Sequence, residues 1–258
     1  MTQSISAAIH IQGPTVRYAE LEQEDAGLAV RRLDRATFEF DVAQRLWEGG
    51  NGAEALDRVG GAIQELLEDT EAASVGLIVH PLEVYSFFMP VPTGLSDQAL
   101  ERRVSYQAAL VTDTRSSEAL HITSQSVRTM EKEGENIEWM HVLAVPQEVK
   151  DRTDVLLSAV SVSDTVQVVS SEAAAQVMQR GAEPEEGSSE ETEYRLAIGA
   201  YPTHTEYTLT RGDTWHHAHA AEEAQAPENR TYYAVGFLNR IGVPLAEIGD
   251  LFLYGPEA

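Results

Sequence analysis

The stretch from residue 193 to residue 220 reads EYRLAIGAYPTHTEYTLTRGDTWHHAHA and gives the strongest indication of the fold. It divides into strand-like segments at residues 193–200, 203–210 and 214–220, each rich in β-branched, aromatic or other apolar residues. The turn residues Arg211-Gly212-Asp213 join the last two segments. The stretch therefore predicts three short antiparallel strands in succession.

The N-terminal segment repeats this pattern. Residues 5–11 are apolar, residues 15–21 alternate between apolar and polar, and residues 28–33 are again strand-like. Turn signals separate these segments at Gly13-Pro14 and at residues 24–27. Each half of the chain therefore opens with the same predicted arrangement of three antiparallel strands.

A helix and then a short apolar strand follow each opening. The helices are predicted over residues 53–67 and 229–241, with Gly242 ending the second, and the strands over residues 75–80 and 251–255. This repeated order predicts an α/β fold with two lobes, each opening with three antiparallel strands.

The domain boundaries follow from composition. Residues 181–192 are rich in Glu, Ser and Gly and contain almost no apolar residue, which is typical of a solvated linker or loop. We assign residues 1–180 to the first lobe, with an inserted subdomain at about 84–145, and residues 193–258 to a second, reduced lobe. The insertion contains a predicted hairpin with a charged tip at Lys132–Asn136.

The charge of the chain excludes two classes of partner. The 258 residues contain 42 Asp and Glu but only 18 Lys and Arg, so the formal net charge is −24. Such a charge repels the phosphate backbone of nucleic acids and anionic membrane surfaces, and the sequence shows no compensating basic stripe. Two explanations stay open: solubility, for example in a salty cytoplasm, and attraction to a basic partner protein.

The predicted compartment is the cytoplasm. The chain contains no cysteine, so disulfides and thiol chemistry are excluded. The first five residues lack the basic and apolar regions of a signal peptide. No apolar run approaches the roughly 20 residues that a membrane-spanning helix needs, so direct membrane insertion is not expected.

Three short stretches carry a resemblance to a known family. They are Phe88–Ser96 before a predicted helix, Val142–Pro146 with the later Val168–Ala173, and the pair Ile198–Ala200 and Leu253–Gly255. With the duplicated layout they resemble the actin-like ATPase superfamily, which has a ribonuclease H-like fold. Within it the chain is similar to type IV pilus assembly ATPase-like proteins and their secretion relatives, or to an uncharacterised bacterial family with a degenerate actin-like fold.

The resemblance implies a nucleotide cleft that has lost its catalytic groups. Active members carry an Asp in each phosphate hairpin, where it positions Mg²⁺ for ATP. Here His10 and Ala197 occupy those positions, and Gln12 replaces a glycine. We therefore predict no catalytic residue and no cofactor. The residues that would line the degenerate cleft are Gly13, Gly199, Thr203 and Gly255. The alternative is an atypical ATP-binding kinase or ATPase of the same superfamily.

A cluster of histidines allows a second hypothesis. His216, His217 and His219 lie close together in the sequence, and His204 lies on the neighbouring predicted strand. On a strand His217 and His219 share a face, so they could bind a transition metal together with His204 or Glu206. Ordinary hydrogen-bonded histidines explain the same pattern, and the sequence lacks an ordered third ligand. We predict no metal site.

The predicted function is a non-catalytic scaffold or assembly protein. The resemblance implies a protein partner, such as a component of a type IV pilus or secretion machine, reached at the inner face of the membrane. The predicted docking surface is the inserted region at residues 90–145, which carries the exposed tip Glu131-Lys132-Glu133.

Overall fold

The structure is a computed structural model of the chain. It describes residues 5–24, 27–48, 53–72, 74–79, 84–114, 116–132, 134–158, 164–180, 193–224 and 226–256. The predicted linker at residues 181–192 lies outside the described residues, as does Glu133 of the predicted hairpin tip.

The secondary structure alternates between strands and helices. In chain order the described strands are β1 Ile5–Gln12, β2 Thr15–Glu24, β3 Gly27–Thr37, β4 Ser74–Val79, β5 Tyr85–Pro92, β6 Leu120–Lys132, β7 Glu135–Pro146, β8 Asp164–Val169, β9 Tyr194–Ala200, β10 Thr205–Arg211, β11 Thr214–Ala221 and β12 Ile248–Tyr254. The described α-helices are α1 Val42–Glu48, α2 Ala53–Leu67, α3 Asp97–Val111, α4 Gln147–Leu157, α5 Ser170–Arg180 and α6 Pro227–Ile241.

The chain divides into two compact units. The first comprises residues 1–79, 118–121 and 145–168, and the second comprises residues 80–117, 122–144 and 169–258. Most of the segment at 84–145 therefore groups with the second unit, whereas the sequence assigns it to the first lobe as an insertion. The domain boundaries drawn from the sequence stay a prediction.

The first unit contains a five-stranded sheet in the order β3-β2-β1-β4-β8. The strands β1, β2 and β3 are antiparallel neighbours, and β4 runs parallel to β1. Alternate side chains, including Ile9, Tyr18 and Leu77, are buried on one face of the sheet, as the period of two requires. The helix α1 begins where Asp41 Oδ1 accepts a hydrogen bond of 2.8 Å from the Gln44 amide, so Asp41 is its N-cap.

The second unit contains a four-stranded sheet in the order β11-β10-β9-β12. Here β9, β10 and β11 are antiparallel and β12 runs parallel to β9. The helix α6 packs Phe237 and Leu238 against Tyr207 and Leu209 of β10. It ends at Gly242, whose φ of 73° is the left-handed conformation that terminates helices. The predicted repeat of three antiparallel strands, a helix and a further strand is therefore confirmed, and in both units this further strand runs parallel to the first.

A three-stranded sheet in the order β5-β7-β6 completes the second unit. Its small core contains Val91, Val104 and Val142. Aromatic side chains of this sheet pack against β11, where the ring centroid of Phe88 lies 5.0 Å from that of Trp215. None of the helices in the described part of the chain is long and apolar enough to cross a bilayer.

Candidate functional site: the hairpin between β9 and β10

The candidate site lies at the turn between β9 and β10, where the resemblance places a phosphate hairpin. Gly199 pairs with Glu206 on one side and with Tyr254 on the other, because β9 is flanked by β10 and β12. A Cβ atom added at Gly199 would lie 2.5 Å from Tyr254 Cζ. The tyrosine ring therefore covers the glycine, and a side chain at this position would have to displace the ring.

Glu206 is the central polar group of the site. It is fully buried, and its Oε2 accepts a hydrogen bond of 2.9 Å from the Tyr254 hydroxyl. Its Oε1 accepts a hydrogen bond of 2.5 Å from the Ser170 hydroxyl and lies 3.0 Å from His204 Nε2. A buried carboxyl group needs such partners, because leaving it without them would carry a large desolvation cost. We call Glu206, Tyr254, Ser170 and His204 the Glu206 cluster.

The cluster changes the acidity of the tyrosine. Burial, followed by the neighbouring Glu206 carboxyl group, holds the pKa of Tyr254 well above its usual value. Tyr254 is therefore a neutral hydrogen-bond donor at any physiological pH. Its hydrogen bond to Glu206 is a polar contact between β12 and β10.

His204 connects the cluster to the hairpin turn. Its ring stacks on that of Tyr201 with centroids 4.8 Å apart, and its Nδ1 lies 2.9 Å from the Thr203 hydroxyl oxygen. Gly255 follows Tyr254 with φ of 97°, and a Cβ atom there would lie 2.5 Å from the Ala200 carbonyl oxygen. The structure therefore brings three predicted cleft residues, Gly199, Thr203 and Gly255, to one turn.

The fourth predicted cleft residue, Gly13, belongs to the first unit. It has φ of 52°, and its carbonyl oxygen accepts a hydrogen bond of 2.7 Å from the Val42 amide at the start of α1. The Gln12 side chain beside it accepts a hydrogen bond of 2.7 Å from Arg17. The first hairpin therefore supports the start of α1, and its Gln12 side chain is hydrogen-bonded to Arg17.

The residues at the second hairpin do not fit Mg²⁺ and a nucleotide phosphate. A phosphate needs open backbone N–H groups next to glycine, and Mg²⁺ needs an accessible carboxylate or water-filled position. Tyr254 covers Gly199, and the Glu206 carboxyl group beside it is buried and occupied by its hydrogen bonds. The assignment of Gly13, Gly199, Thr203 and Gly255 to a degenerate nucleotide cleft stays a prediction, and no chemical step follows from it.

The histidines of β11 pack against rings. His217 lies against Phe88, with ring centroids 5.0 Å apart, His216 lies against Tyr194, and His219 stacks on Phe237. Burial lowers the pKa of His216 and His217 to about 4, with a further contribution from Arg128. Among the described residues no group of three His, Asp or Glu side chains could hold a metal ion.

Sequence reasoning considered Glu206 and His204 only as possible metal ligands, and it missed their contacts with Ser170 and Tyr254. The segment 205–210 is buried at every position, because β10 lies inside its sheet and is covered on both faces. A glutamate inside an uninterrupted strand of apolar and threonine residues was the available signal, since a buried carboxyl group must have partners. The sequence could not identify those partners, because Ser170 and Tyr254 lie 36 and 48 positions away.

The sequence itself matches no protein-family model and no curated protein. Solved structures are similar at the level of the fold. One, described as a PilM–PilN type IV pilus biogenesis complex, is similar with a TM-score of 0.63 and 17% identity over 93% of this chain and 67% of that chain. Another is the cytoplasmic domain of EpsL, an inner-membrane component of the Vibrio cholerae type II secretion system, with a TM-score of 0.54 and 14% identity over 98% and 83% of the two chains.

A third similar structure is a Bacteroides thetaiotaomicron protein of unknown function with an actin-like ATPase fold. Its TM-score is 0.52 and its identity 6%, over 97% of this chain and 90% of that chain. Identities this low establish the fold and nothing finer. With the duplicated strand order described above, they show that this chain has the actin-like ATPase fold.

Proposed function

We propose that this chain is a non-catalytic actin-like scaffold protein of an envelope assembly machine, of the type IV pilus or type II secretion kind. The observation that carries the proposal is the Glu206 cluster. A tyrosine ring and a hydrogen-bonded carboxyl group stand where a phosphate hairpin would need open backbone and an accessible metal-binding carboxylate. A fold without nucleotide turnover has to act through its surfaces.

The comparisons support the assembly part of the proposal by analogy. Two proteins with similar folds are described as parts of pilus and secretion machinery, one in complex with another protein and one as a cytoplasmic domain. By this analogy the partner is a protein component of such a machine, and the chain acts at the cytoplasmic face of the membrane through that partner.

The hairpin of β6 and β7 is the proposed contact for this partner. Its described end is exposed at Glu131, Glu135 and Asn136, and Gly134 in the turn has φ of 84°. Behind the tip, Trp139 packs between Arg128, 4.9 Å from its ring centroid, and His217. An aromatic side chain near a charged rim is the arrangement that carries affinity at protein interfaces.

The catalytic half of the proposal is tested with purified protein and Mg-ATP. Calorimetry should detect no binding in the micromolar range, and a phosphate-release assay should give the rate of buffer alone. Micromolar binding, or phosphate release that Glu206→Gln abolishes, would overturn the proposal and favour the atypical kinase or ATPase.

The assembly half is tested by affinity capture from native extract, with identification of the captured proteins by mass spectrometry. The expected result is an envelope-machine component, recovered in lower yield when residues 131–136 are deleted. The matched control replaces Glu101 and Arg102, two exposed residues of α3 in the same unit, by alanine. Equal recovery with both variants would remove the hairpin from the interface.

A further inference from the structure

The first unit has a sheet face whose side chains stand in two rows. Ile78, His10, Arg17 and Arg35 are direct neighbours across β4, β1, β2 and β3. The next row on the same face consists of Gly76, Ala8, Ala19 and Leu33. The first row therefore carries polar or cationic side chains on β1, β2 and β3. The second row carries small or apolar side chains.

These rows form a groove. A depression of about 590 Å³ is lined by residues of both rows, including Arg17, Arg35, Ala8, Ala19 and Leu33. Ala8 and Ala19 give it a low floor because a methyl group rises little above the sheet. Leu33, at 70% exposure, stands at the edge of that floor as an apolar wall. A volume of this size holds a few side chains of a ligand.

The groove lies on the face opposite the core of this unit. Ile9, Tyr18 and Leu77 point the other way and are buried, and the Tyr18 hydroxyl oxygen lies 2.9 Å from the Thr70 hydroxyl oxygen, just after α2. The residues next to them along the strands, such as Ala8 and Ala19, face the other way and are partly exposed. The two rows are therefore a surface of the first unit rather than part of its packed interior.

The charge of the groove contrasts with the charge of the chain. Arg31 and Arg32 on β3 form ion pairs with Glu71 and Asp34. Within the described part of the chain, Arg17 and Arg35 make no such pair with a carboxylate. In a chain with a net charge of −24, two neighbouring guanidinium groups without carboxylate partners mark a local reversal of sign.

We propose that this groove binds an acidic segment of a partner protein, with an apolar side chain on the Ala8, Ala19 and Leu33 row and carboxylates on Arg17 and Arg35. Guanidinium groups bind carboxylates through paired N–H donors, which gives the site its preference for acidic residues. The apolar row supplies a contact that a free anion could not use. The partner is the one that the proposed scaffold function requires, but the groove is tested separately from ATP binding.

The test measures fluorescence anisotropy of labelled short peptides with the purified chain at low salt. The first probe alternates glutamate and leucine, the second alternates glutamate and serine, and the third alternates lysine and leucine. The first should bind most tightly, and its affinity should fall as salt is raised because exposed charge contacts are screened. The second should bind about tenfold more weakly, since it lacks the apolar contact.

Two double variants of equal charge change separate the groove from the general surface. Arg17→Gln with Arg35→Gln should weaken the glutamate–leucine peptide about tenfold, the effect of losing two partly exposed charge contacts. Arg102→Gln with Arg103→Gln, on the exposed side of α3, should change its affinity less than twofold. Circular dichroism checks that both variants are folded.

Three outcomes would overturn the proposal. They are no binding of the glutamate–leucine peptide, equal weakening by both double variants, and tighter binding of the lysine–leucine peptide to the same groove. Each can occur whether or not the chain binds Mg-ATP, so failure here is distinguishable from failure of the proposed function.

Discussion

The two units have the same strand order but bury their acidic groups at different places. Each has one buried glutamate on the second strand of its opening: Glu20 on β2 and Glu206 on β10. Glu206 pairs with Gly199 beside the turn of its hairpin, whereas Glu20 pairs with Ala7, toward the far end of β1. Of these two glutamates, only Glu206 therefore lies beside the turn of its hairpin.

The hydrogen-bond donors to the two glutamates lie at different distances along the chain. The Tyr18 hydroxyl donates to Glu20 over 2.5 Å from the same strand, two residues away. The Tyr254 hydroxyl donates to Glu206 from β12, 48 positions along the chain. The first contact is local and leaves the hairpin turn to support α1, while the second joins β12 to β10 across Gly199. The same arrangement of strands can therefore contain different buried hydrogen bonds, because each unit needs only to provide partners for its own buried polar groups.

The largest expected effect compares the two glutamates directly. Glu206→Ala removes the acceptor of three buried groups, Tyr254, Ser170 and His204, and should lower the free energy of unfolding by about 3–5 kcal/mol. Glu20→Ala should cost about 2 kcal/mol, because Arg31 is partly exposed and can turn to water, and the Tyr18 hydroxyl keeps Thr70 as a partner. Urea unfolding followed by circular dichroism measures both. Equal losses would mean that the Glu206 cluster contributes no more than its counterpart.

A pair of glycines tests the hairpins themselves. Gly255→Ala should cost about 3 kcal/mol, since a Cβ atom would meet Ala200 backbone at 2.5 Å in a left-handed conformation. Gly13→Ala should cost only about 1–2 kcal/mol, because the nearest atom to its added Cβ, on Asp41, is 3.9 Å away. Thermal unfolding of the two variants gives the difference. A smaller loss at Gly255 than at Gly13 would contradict the tight approach of β12 to the second hairpin.

The second unit should be the more sensitive to acid. Burial lowers the pKa of His141, His216 and His217 to about 4, so the folded state holds them neutral. In the unfolded chain a histidine takes up its proton near pH 6.5. Between about pH 6.5 and 4 the unfolded state therefore binds more protons, and the free energy of unfolding should fall as the pH falls.

Urea unfolding at several pH values, followed by tryptophan fluorescence, measures this slope. Trp139 and Trp215 lie against these histidines and report on the second unit. His141→Gln should make the slope shallower, because one of the three groups no longer titrates. An unchanged slope in that variant would assign the acid sensitivity to other groups.

The smallest expected effects concern helix starts. Asp41 caps α1, whereas α6 begins at Ala226 with no side-chain cap. Asp41→Ala should cost about 1 kcal/mol, and Ala226→Asp should add about 0.5–1 kcal/mol, since an aspartate can accept a hydrogen bond from the first turn. Thermal melts resolve changes of this size. A stabilising Asp41→Ala variant would show that the first cap is not used.

The sequence alone predicted the order of strands and helices in both units. Turn residues such as Gly13-Pro14 and Arg211-Gly212-Asp213, and the helix stop at Gly242, act over a few residues, so their effect can be predicted locally. The hypothesis that His217 and His219 form a metal site used the same local reasoning, but aromatic neighbours from distant segments surround both. Local spacing says which residues share a face and leaves open what covers that face.

The sequence by itself determined the duplicated α/β fold and the presence of His10 and Ala197 in its two hairpins, because alternation, turns and residue identity are properties of neighbouring residues. Only the tertiary structure placed Tyr254 on Gly199 and beside Glu206, since a parallel pairing of β12 with β9 decides that contact. It also aligned Arg17 with Arg35, a basic patch where the sequence shows no basic stripe. Register between strands is set by packing of the whole sheet, and it decides which distant side chains become neighbours.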